Sequence, residues 1–296
     1  MLGDCLLFAF CLYHFTMNAI DHIVFNTKDQ TDEAVHFFER AGFSVTPRGF
    51  HTLGSINHTI VFAEDYLELL GYPPGAPPAK RPELVTNPAG LMATVLQTED
   101  ADASHAALMQ HGLRPRPVQS FSRPVNLGDR RTQDAAFRVT RLEPDAVPGT
   151  WFYYCQHLTR ELVWRPEWQA HANGATGISA LDIDVPSLSE ALPLYVACLG
   201  GAAITHAPIT LGGSGSQATL SLDRCVVRLR EVPGPARMRA LTFHVASLDA
   251  ARGVLQRNQV AHSVMQGVSG EPGEVIVIDP ALSFGATLQL SASAVE

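Results

Sequence analysis

The sequence has few charged residues and no concentration of basic ones. Of its 296 residues, 17% are charged and 46% are hydrophobic, and the formal net charge at pH 7 is -8. Nucleic-acid phosphates are bound by clustered lysine and arginine side chains, so this composition argues against a nucleic-acid partner. The chain is long enough for two ordinary domains or one large one, each with a substantial core. We therefore expect a globular protein whose partner is a small molecule.

Cysteine is also scarce. The five cysteines are scattered, and none of them forms a C-x-x-C pair: Cys5, Cys11, Cys155, Cys198 and Cys225. An odd number with this spacing indicates neither a disulfide framework nor a zinc ribbon. We therefore expect a cytoplasmic protein.

Long apolar runs are missing as well. The one stretch similar to a signal peptide, MLGDCLLFAFCLYHFT at residues 1–16, has Asp4 where a basic region is needed, and no A-x-A site follows it. It is too short to span a bilayer as a helix. A strand pattern begins directly after Met17. We therefore expect residues 1–16 to form an extension outside the folded core and the protein to have no membrane partner.

One pattern occurs four times along the chain: a short apolar strand, a helix, and several further strands. The four copies open with IDHIVFNT, LMATVLQT, ISALDIDV and RALTFHVA. The second and fourth copies align without a gap and place Asp102 over Asp249. Because internal repeats decide the architecture, we expect an α+β protein of paired βαβββ units. The first domain is predicted at residues 17–175 and the second at 176–296.

A proline-rich segment, GYPPGAPPAKRPELVTNPAG at residues 71–90, joins the first two units. It is too long and too rich in proline for a tight turn, which predicts an extended strap or lid over the surface.

The repeated units resemble the vicinal oxygen chelate superfamily, and more closely its glyoxalase-like domain family. The matching motifs are DHIVF, HTLGSINHTIVF, YLELLG, and QHLTRELVWRPEW followed by HANGA. The resemblance implies two domains in which paired units curl into half-open barrels similar to those of glyoxalases and dioxygenases. In such proteins metal ligands lie on the first and last strands of each unit.

Transferred to this chain, the resemblance puts metal ligands at His22 and Glu68 in the first unit. In the second unit the first-strand position is Ala93, which cannot bind a metal, and His157 lies near the last-strand position. The set of His22, Glu68 and His157 implies one divalent ion, Zn, Mn, Fe(II) or Ni, with positions open for substrate oxygens. The second domain, with Ile183, Arg228 or Arg230, Ala240 and Gln289 at these positions, implies no metal set.

Glu68 also has a purely structural interpretation. Strand alternation turns its side chain away from Leu67 and Leu69, and a buried carboxylate there needs a cation, which a nearby Arg or His can supply. His22 can likewise be a hydrogen-bonded core histidine. We take Glu68, His51 and His58 as candidate catalytic residues, because both histidines lie on or beside strands of the same unit. One of the two histidines can be a general base or a fourth metal ligand. A polar cavity lining is the alternative for these two.

Together these features predict a metal-dependent lyase, isomerase or dioxygenase-like enzyme that acts on a small oxygenated molecule in the first-domain cavity. The alternative is a metal-free protein of the same fold that binds or sequesters a small molecule. The second domain is expected to stabilise the first, to close its cavity or to form the surface of a homodimer.

Overall fold

The computed structural model describes residues 19–51, 53–127, 131–199, 216–266 and 273–292. The predicted N-terminal extension, residues 1–16, and Met17 lie outside the described residues. In the described part of the chain, no helix combines the length and the hydropathy that a membrane crossing requires.

The first half of the chain forms an eight-stranded sheet in the described residues. Its elements are β1 (Ile20–Lys28), α1 (Thr31–Arg40), β2 (Gly49–Phe50), β3 (Ile56–Val61), β4 (Tyr66–Gly71), a short α2 (Glu83–Thr86), β5 (Gly90–Gln97), α3 (Ala101–Gln110), β6 (Gln119–Asn126), β7 (Thr132–Arg141) and β8 (Trp151–His157). The strand order is β2-β3-β4-β1-β5-β8-β7-β6. Read outward from the central β1–β5 pair, both βαβββ units have the same order.

The second half repeats this arrangement in a seven-stranded sheet, counted over the described residues. Its elements are β9 (Ala175–Val185), α4 (Leu188–Cys198), β10 (Gln217–Ser221), β11 (Val226–Glu231), β12 (Arg237–Val245), α5 (Leu248–Arg257), β13 (Ser263–Gln266), β14 (Glu274–Ile278) and β15 (Thr287–Ser291). The strand order is β10-β11-β9-β12-β15-β14-β13. The predicted fold class, α+β with paired βαβββ units in two half-barrel domains, is confirmed.

The helices begin where polar side chains cap them. Asp100 accepts hydrogen bonds from the backbone N–H groups of Asp102 and Ala103 at the start of α3. Ser187 and Ser247 do the same for α4 and α5, each through its hydroxyl. These caps satisfy donors that have no partner within the helix, so the short helices begin at defined residues.

One apolar cluster holds the two halves together. It contains residues from the helix-bearing faces of both sheets and from all four longer helices. The rings of Phe43, in the first half, and Phe243, in the second, lie 5.0 Å apart between centroids. The connection between the halves is fixed as well, because the Asn173 side chain donates to the Ala41 carbonyl at 2.9 Å.

A second cluster fills the concave face of the first sheet, on the side away from the helices. It includes Val24, Leu70, Val95 and Tyr153, and Leu84 of the proline-rich segment packs into it. The side chain of Asn26 donates to the carbonyl of Leu84 at 3.2 Å and anchors the segment there. The strands β2 and β6, at the two ends of the strand order, contact each other, so the sheet curls around this interior.

Candidate active site

A β-bulge at Asp21 shapes the concave interior. In the β1–β5 pair, Ile20 lies opposite Leu96 and His22 opposite Val95, which leaves Asp21 as the extra residue. Such a bulge breaks the strict alternation of side chains between faces, so neighbouring residues can turn to the same side. Both Asp21 and His22 are buried and face the interior, where their side chains meet.

The Asp21 carboxylate lies between two imidazoles. Its Oδ1 is 2.5 Å from His22 Nδ1 and 3.1 Å from His157 Nε2. Burial alone raises the pKa of Asp21, but the charges and hydrogen bonds of His157 and His22 outweigh it and hold that pKa well below its usual range. Asp21 is therefore ionised. Its second oxygen, Oδ2, and the Nδ1 atom of His157 are buried and have no hydrogen-bond partner in the described residues.

The other nitrogen of His22 points toward a tyrosine and a carboxylate. His22 Nε2 is 3.3 Å from the Tyr153 hydroxyl and 4.0 Å from Glu68 Oε2. The ring stacks on Tyr66 with 4.4 Å between centroids. Burial, above all, raises the pKa of Tyr153 well above its usual range, so its hydroxyl stays protonated and can donate a hydrogen bond.

Glu68 faces this interior, as the alternation in YLELLG predicts. The Asn57 side chain donates to Glu68 Oε1 at 2.7 Å. Burial raises the pKa of Glu68, but the fields of His22 and His51 and the Asn57 hydrogen bond outweigh burial, and the net shift is downward. Glu68 is therefore an ionised carboxylate whose hydrogen-bond partner is the Asn57 amide, and its other oxygen, Oε2, lies 4.0 Å from His22 Nε2.

The two histidines proposed as catalytic lie on different sides of the sheet. His51 follows β2 with its Nδ1 2.8 Å from Ser55 Oγ, and burial above all lowers its pKa to about 4, so it is neutral at pH 7. His58 is next to Asn57 on β3, and alternation turns it to the opposite face. There its Nδ1 is 2.7 Å from the Thr46 carbonyl, and its Nε2 accepts from Arg48 Nε at 3.3 Å. The structure does not bring His58 to Glu68.

The strand register identifies the counterparts of His22 and Glu68 in the second unit. In the β1–β5 pair, His22 lies opposite Val95 and Val24 lies opposite Ala93. A two-fold rotation that exchanges the two strands therefore places Ala93 on His22 and Val95 on Val24. Glu68 lies opposite Val24, and Tyr153 lies opposite Val95 in the same way. Ala93 is thus the counterpart of His22, as the sequence indicates. Tyr153 is the counterpart of Glu68, and His157 lies further along β8.

A compact group of metal-binding atoms surrounds Asp21. One ligand atom each from Asp21, Cys155 and His157 lie within 4.8 Å of one another. His157 was predicted from the family resemblance, whereas Asp21 and Cys155 were not. The Asp-His pair at the start of a strand, and the alternation that puts Cys155 on the same face as His157, are the sequence signals for these two.

The corresponding positions of the second sheet have no such group. Register places Arg228 and Gln289 at the two last-strand positions, and Ala180 and Ala240 at the two first-strand positions. The expected first-strand residue was Ile183, but alternation turns Ile183 into the core shared with the helices. Asp182 in this second interior pairs with Arg228 and Arg239 instead.

Two curled sheets of paired βαβββ units, with polar groups on the first and last strands of the first sheet, define a protein of the vicinal oxygen chelate fold. The glyoxalase-like domain family matches residues 20–199, which is more than half of the chain. The chain belongs to the glyoxalase-like domain family.

Solved structures with the same fold have low sequence identity to this chain. A hypothetical protein from Staphylococcus aureus has a TM-score of 0.63 at 12% identity, over 92% of this chain and 98% of that one. A mutant of 4-hydroxymandelate synthase from Streptomyces coelicolor has a TM-score of 0.56 at 12% identity, over 93% and 92%. A xylose isomerase-like TIM barrel/4-hydroxyphenylpyruvate dioxygenase fusion protein has 0.60 at 9%, over 93% and 48%. No curated protein matches the sequence.

Proposed function

We propose that the first-domain barrel is the active site of a metal-dependent enzyme, a lyase or isomerase, that moves a proton on a small oxygenated molecule. The observation that carries this proposal is the bulge at Asp21. It puts an ionised carboxylate behind His22 and leaves the other nitrogen of His22 facing Tyr153 and Glu68. A carboxylate–histidine pair of this kind is a common way to orient a general base.

His22 is the proposed base. An ionised Asp21 can only accept a hydrogen bond, so Nδ1 of His22 carries the proton in their contact. In the neutral imidazole, Nε2 then has a lone pair that accepts from the Tyr153 hydroxyl at 3.3 Å, and a substrate that takes over this hydroxyl leaves Nε2 able to take a proton. Stacking on Tyr66 keeps the ring in this orientation.

Tyr153 and Glu68 provide the remaining polar groups. The protonated Tyr153 hydroxyl can donate a hydrogen bond to an oxygen on which negative charge develops. Glu68, held by Asn57, is a second group that can accept or return a proton.

The donors around Asp21 fit a divalent ion. Asp21 Oδ2 and His157 Nδ1 are buried polar atoms with no hydrogen-bond partner in the part of the chain that the structure describes. One ligand atom each of Asp21, His157 and Cys155, the last a soft donor, lie within 4.8 Å of one another. Burial, above all, raises the pKa of Cys155 well above its usual range, so its thiol would release a proton when an ion binds. Carboxylate, imidazole and the resulting thiolate together suit Zn(II) or Fe(II). We propose that Asp21, Cys155 and His157 hold the ion. When bound, it would act as a Lewis acid that polarises a substrate oxygen.

Metal analysis and isotope exchange test this function. We expect about one equivalent of a divalent metal, by elemental analysis, in the purified protein or after loading with Zn(II), Mn(II) or Fe(II). In D2O, the loaded protein should exchange a carbon-bound proton beside a carbonyl in some member of a panel of small hydroxy and oxo compounds, as followed by NMR. The His22→Gln variant should retain the metal and lose the exchange.

A metal-free binding protein is the second candidate. It is favoured by the register, because Ala93 and Tyr153 occupy the second-unit positions at which the family resemblance implies metal ligands. Protein that takes up no divalent metal, but still binds small molecules in this interior, would support this candidate over the enzyme.

A further inference from the structure

Two arginines in the first interior have no carboxylate partner among the described residues. Arg123 on β6 and Arg141 on β7 are both half-buried. Arg141 Nη1 donates to the neutral side chain of Gln119 at 3.0 Å. Arg116, in contrast, forms a two-bonded pair with Glu143 at the surface. A partly desolvated guanidinium remains a cation at neutral pH, so Arg141 is placed to receive an anion.

Arg141 lies at the same level of the barrel as His22. Following the register around the sheet, His22 lies opposite Val95, Val95 opposite Tyr153, and Tyr153 opposite Arg141. The Arg141 Cζ atom is 5.1 Å from the centroid of the Tyr153 ring. The hydroxyl of that ring is 3.3 Å from His22 Nε2. One aromatic ring therefore separates the guanidinium from the imidazole.

Arg123 approaches the same interior from the end of the curled sheet. Arg123 and Asn57 both lie beside Gly49. A Cβ atom added to Gly49 would be 3.6 Å from Arg123 Nη1 and would also contact the Asn57 side chain. Asn57 in turn holds Glu68. Arg123 also contributes to lowering the pKa of Glu68, after His22, His51 and Asn57. The two arginines thus flank the His22–Glu68 region.

Aromatic rings lie beside both cations. Phe121 and Phe137 stack with 5.1 Å between ring centroids. Arg141 Cζ is 5.9 Å from the Phe121 centroid, and Arg123 Cζ is 6.0 Å from the Phe137 centroid. A ligand for this wall combines a negative group with a planar apolar body. Guanidinium matches the planar carboxylate with two parallel hydrogen bonds.

We propose that Arg141, assisted by Arg123, binds the carboxylate of a small carboxylic acid whose planar apolar body lies against the aromatic wall. The proposal rests on the proposed active site, since it assigns a substrate class to the same interior. Two ionised carboxylates, Asp21 and Glu68, already lie in this interior, so it favours a ligand with a single negative charge over a phosphate dianion.

Calorimetric titration of metal-stripped protein with benzoate, benzamide and inorganic phosphate tests the site. Benzoate should bind at least about tenfold more tightly than its neutral isostere benzamide, and more tightly than phosphate. Arg141→Gln should weaken benzoate binding by about 10- to 100-fold and leave benzamide binding unchanged. Arg123→Gln should have a smaller effect, and Arg141→Lys should retain part of the affinity. Arg116→Gln, which loses only a surface ion pair, is the matched control.

The assignment is wrong if benzoate does not bind, if benzoate and benzamide bind equally, if phosphate binds more tightly, or if Arg141→Gln binds benzoate like the unchanged protein. Should Arg141→Gln fail to fold in a thermal melt, Arg141→Lys is the test: it should bind benzoate more weakly than the unchanged protein, and equal binding by the two proteins would refute the assignment. Because no metal or turnover is involved, benzoate binding survives a failure of the enzyme proposal. If the protein catalyses the metal-dependent exchange but does not bind benzoate, only the carboxylate assignment is refuted.

Discussion

Replacing Asp21 by Asn tests the network at the bulge. Asn has the same shape but no charge, so the two imidazoles at 2.5 and 3.1 Å lose the anion that they share. Asp21 is completely buried, and removing one partner of a buried charged network costs about 3 to 5 kcal/mol. We expect Asp21→Asn to lower the free energy of unfolding at pH 7 by that amount.

The stability that Asp21 contributes should depend on pH in a defined direction. The pKa of Asp21 is depressed in the folded protein, whereas its reference value is 3.8. The stabilisation is therefore fully present above about pH 4 and is lost as the pH falls toward the folded-state pKa. Urea unfolding at several pH values should show a difference between the two proteins that is constant above about pH 4 and shrinks below it.

A surface aspartate supplies the control. Asp102 pairs with Arg138 at 2.8 Å, but its side chain is 65% exposed. Asp102→Asn should change the free energy of unfolding by no more than about 1 kcal/mol. An Asp21→Asn protein that is as stable as the unchanged protein at pH 7 would refute the idea of a charged network. In the proposed enzyme, Asp21→Asn should also lower activity by at least about 10- to 100-fold, because His22 loses its orienting acceptor and the proposed ion loses its carboxylate ligand.

Three further predictions concern other residues of the first domain. If Asp21, Cys155 and His157 hold the ion, Glu68→Gln should retain the metal and lose activity. Loss of the metal, measured by elemental analysis, would instead support the ligand set of His22, Glu68 and His157 that the family resemblance implies. Gly49→Ala should lower activity more than thermal stability, because the added Cβ collides with the Asn57 side chain that holds Glu68. Unchanged activity would show that Asn57 does not position Glu68 for the reaction. Burial above all raises the pKa of Asp65 to about 8 from 3.8, so the native state holds a proton that the unfolded chain releases. The free energy of unfolding should therefore fall between about pH 4 and 8, with Asp65 contributing at most about 1.4 kcal/mol per pH unit. In urea titrations at several pH values, Asp65→Asn should remove this pH dependence.

The fold was predictable because its signals are local and repeated. Each unit combines strand alternation with a helix of fixed apolar spacing, and four copies of the pattern reinforce one another. The position of Glu68 on the concave face followed from the same alternation. The position of His58 follows from it too, since a residue next to Asn57 on a strand must face the other way.

The arrangement of the site depended on register, which no single segment encodes. The family resemblance puts His157 near the last-strand ligand position of the second unit, whereas pairing across β5 and β8 gives that position to Tyr153. A shift of one or two residues along a strand changes which side chains stand level with His22. Such shifts are fixed only when neighbouring strands pair.

The sequence by itself therefore determined the class of fold, the paired units and the presence of His22 and Glu68 on strands of the first interior. Only the tertiary structure decided that Asp21 joins them. Alternation alone sends Asp21 and His22 to opposite faces, and the bulge that brings both inward arises from pairing between β1 and β5, which lie far apart in the chain. For the same reason the nearness of Arg141 to His22 is a property of the curled sheet, because four neighbouring strands must pair in register before the two side chains share a level.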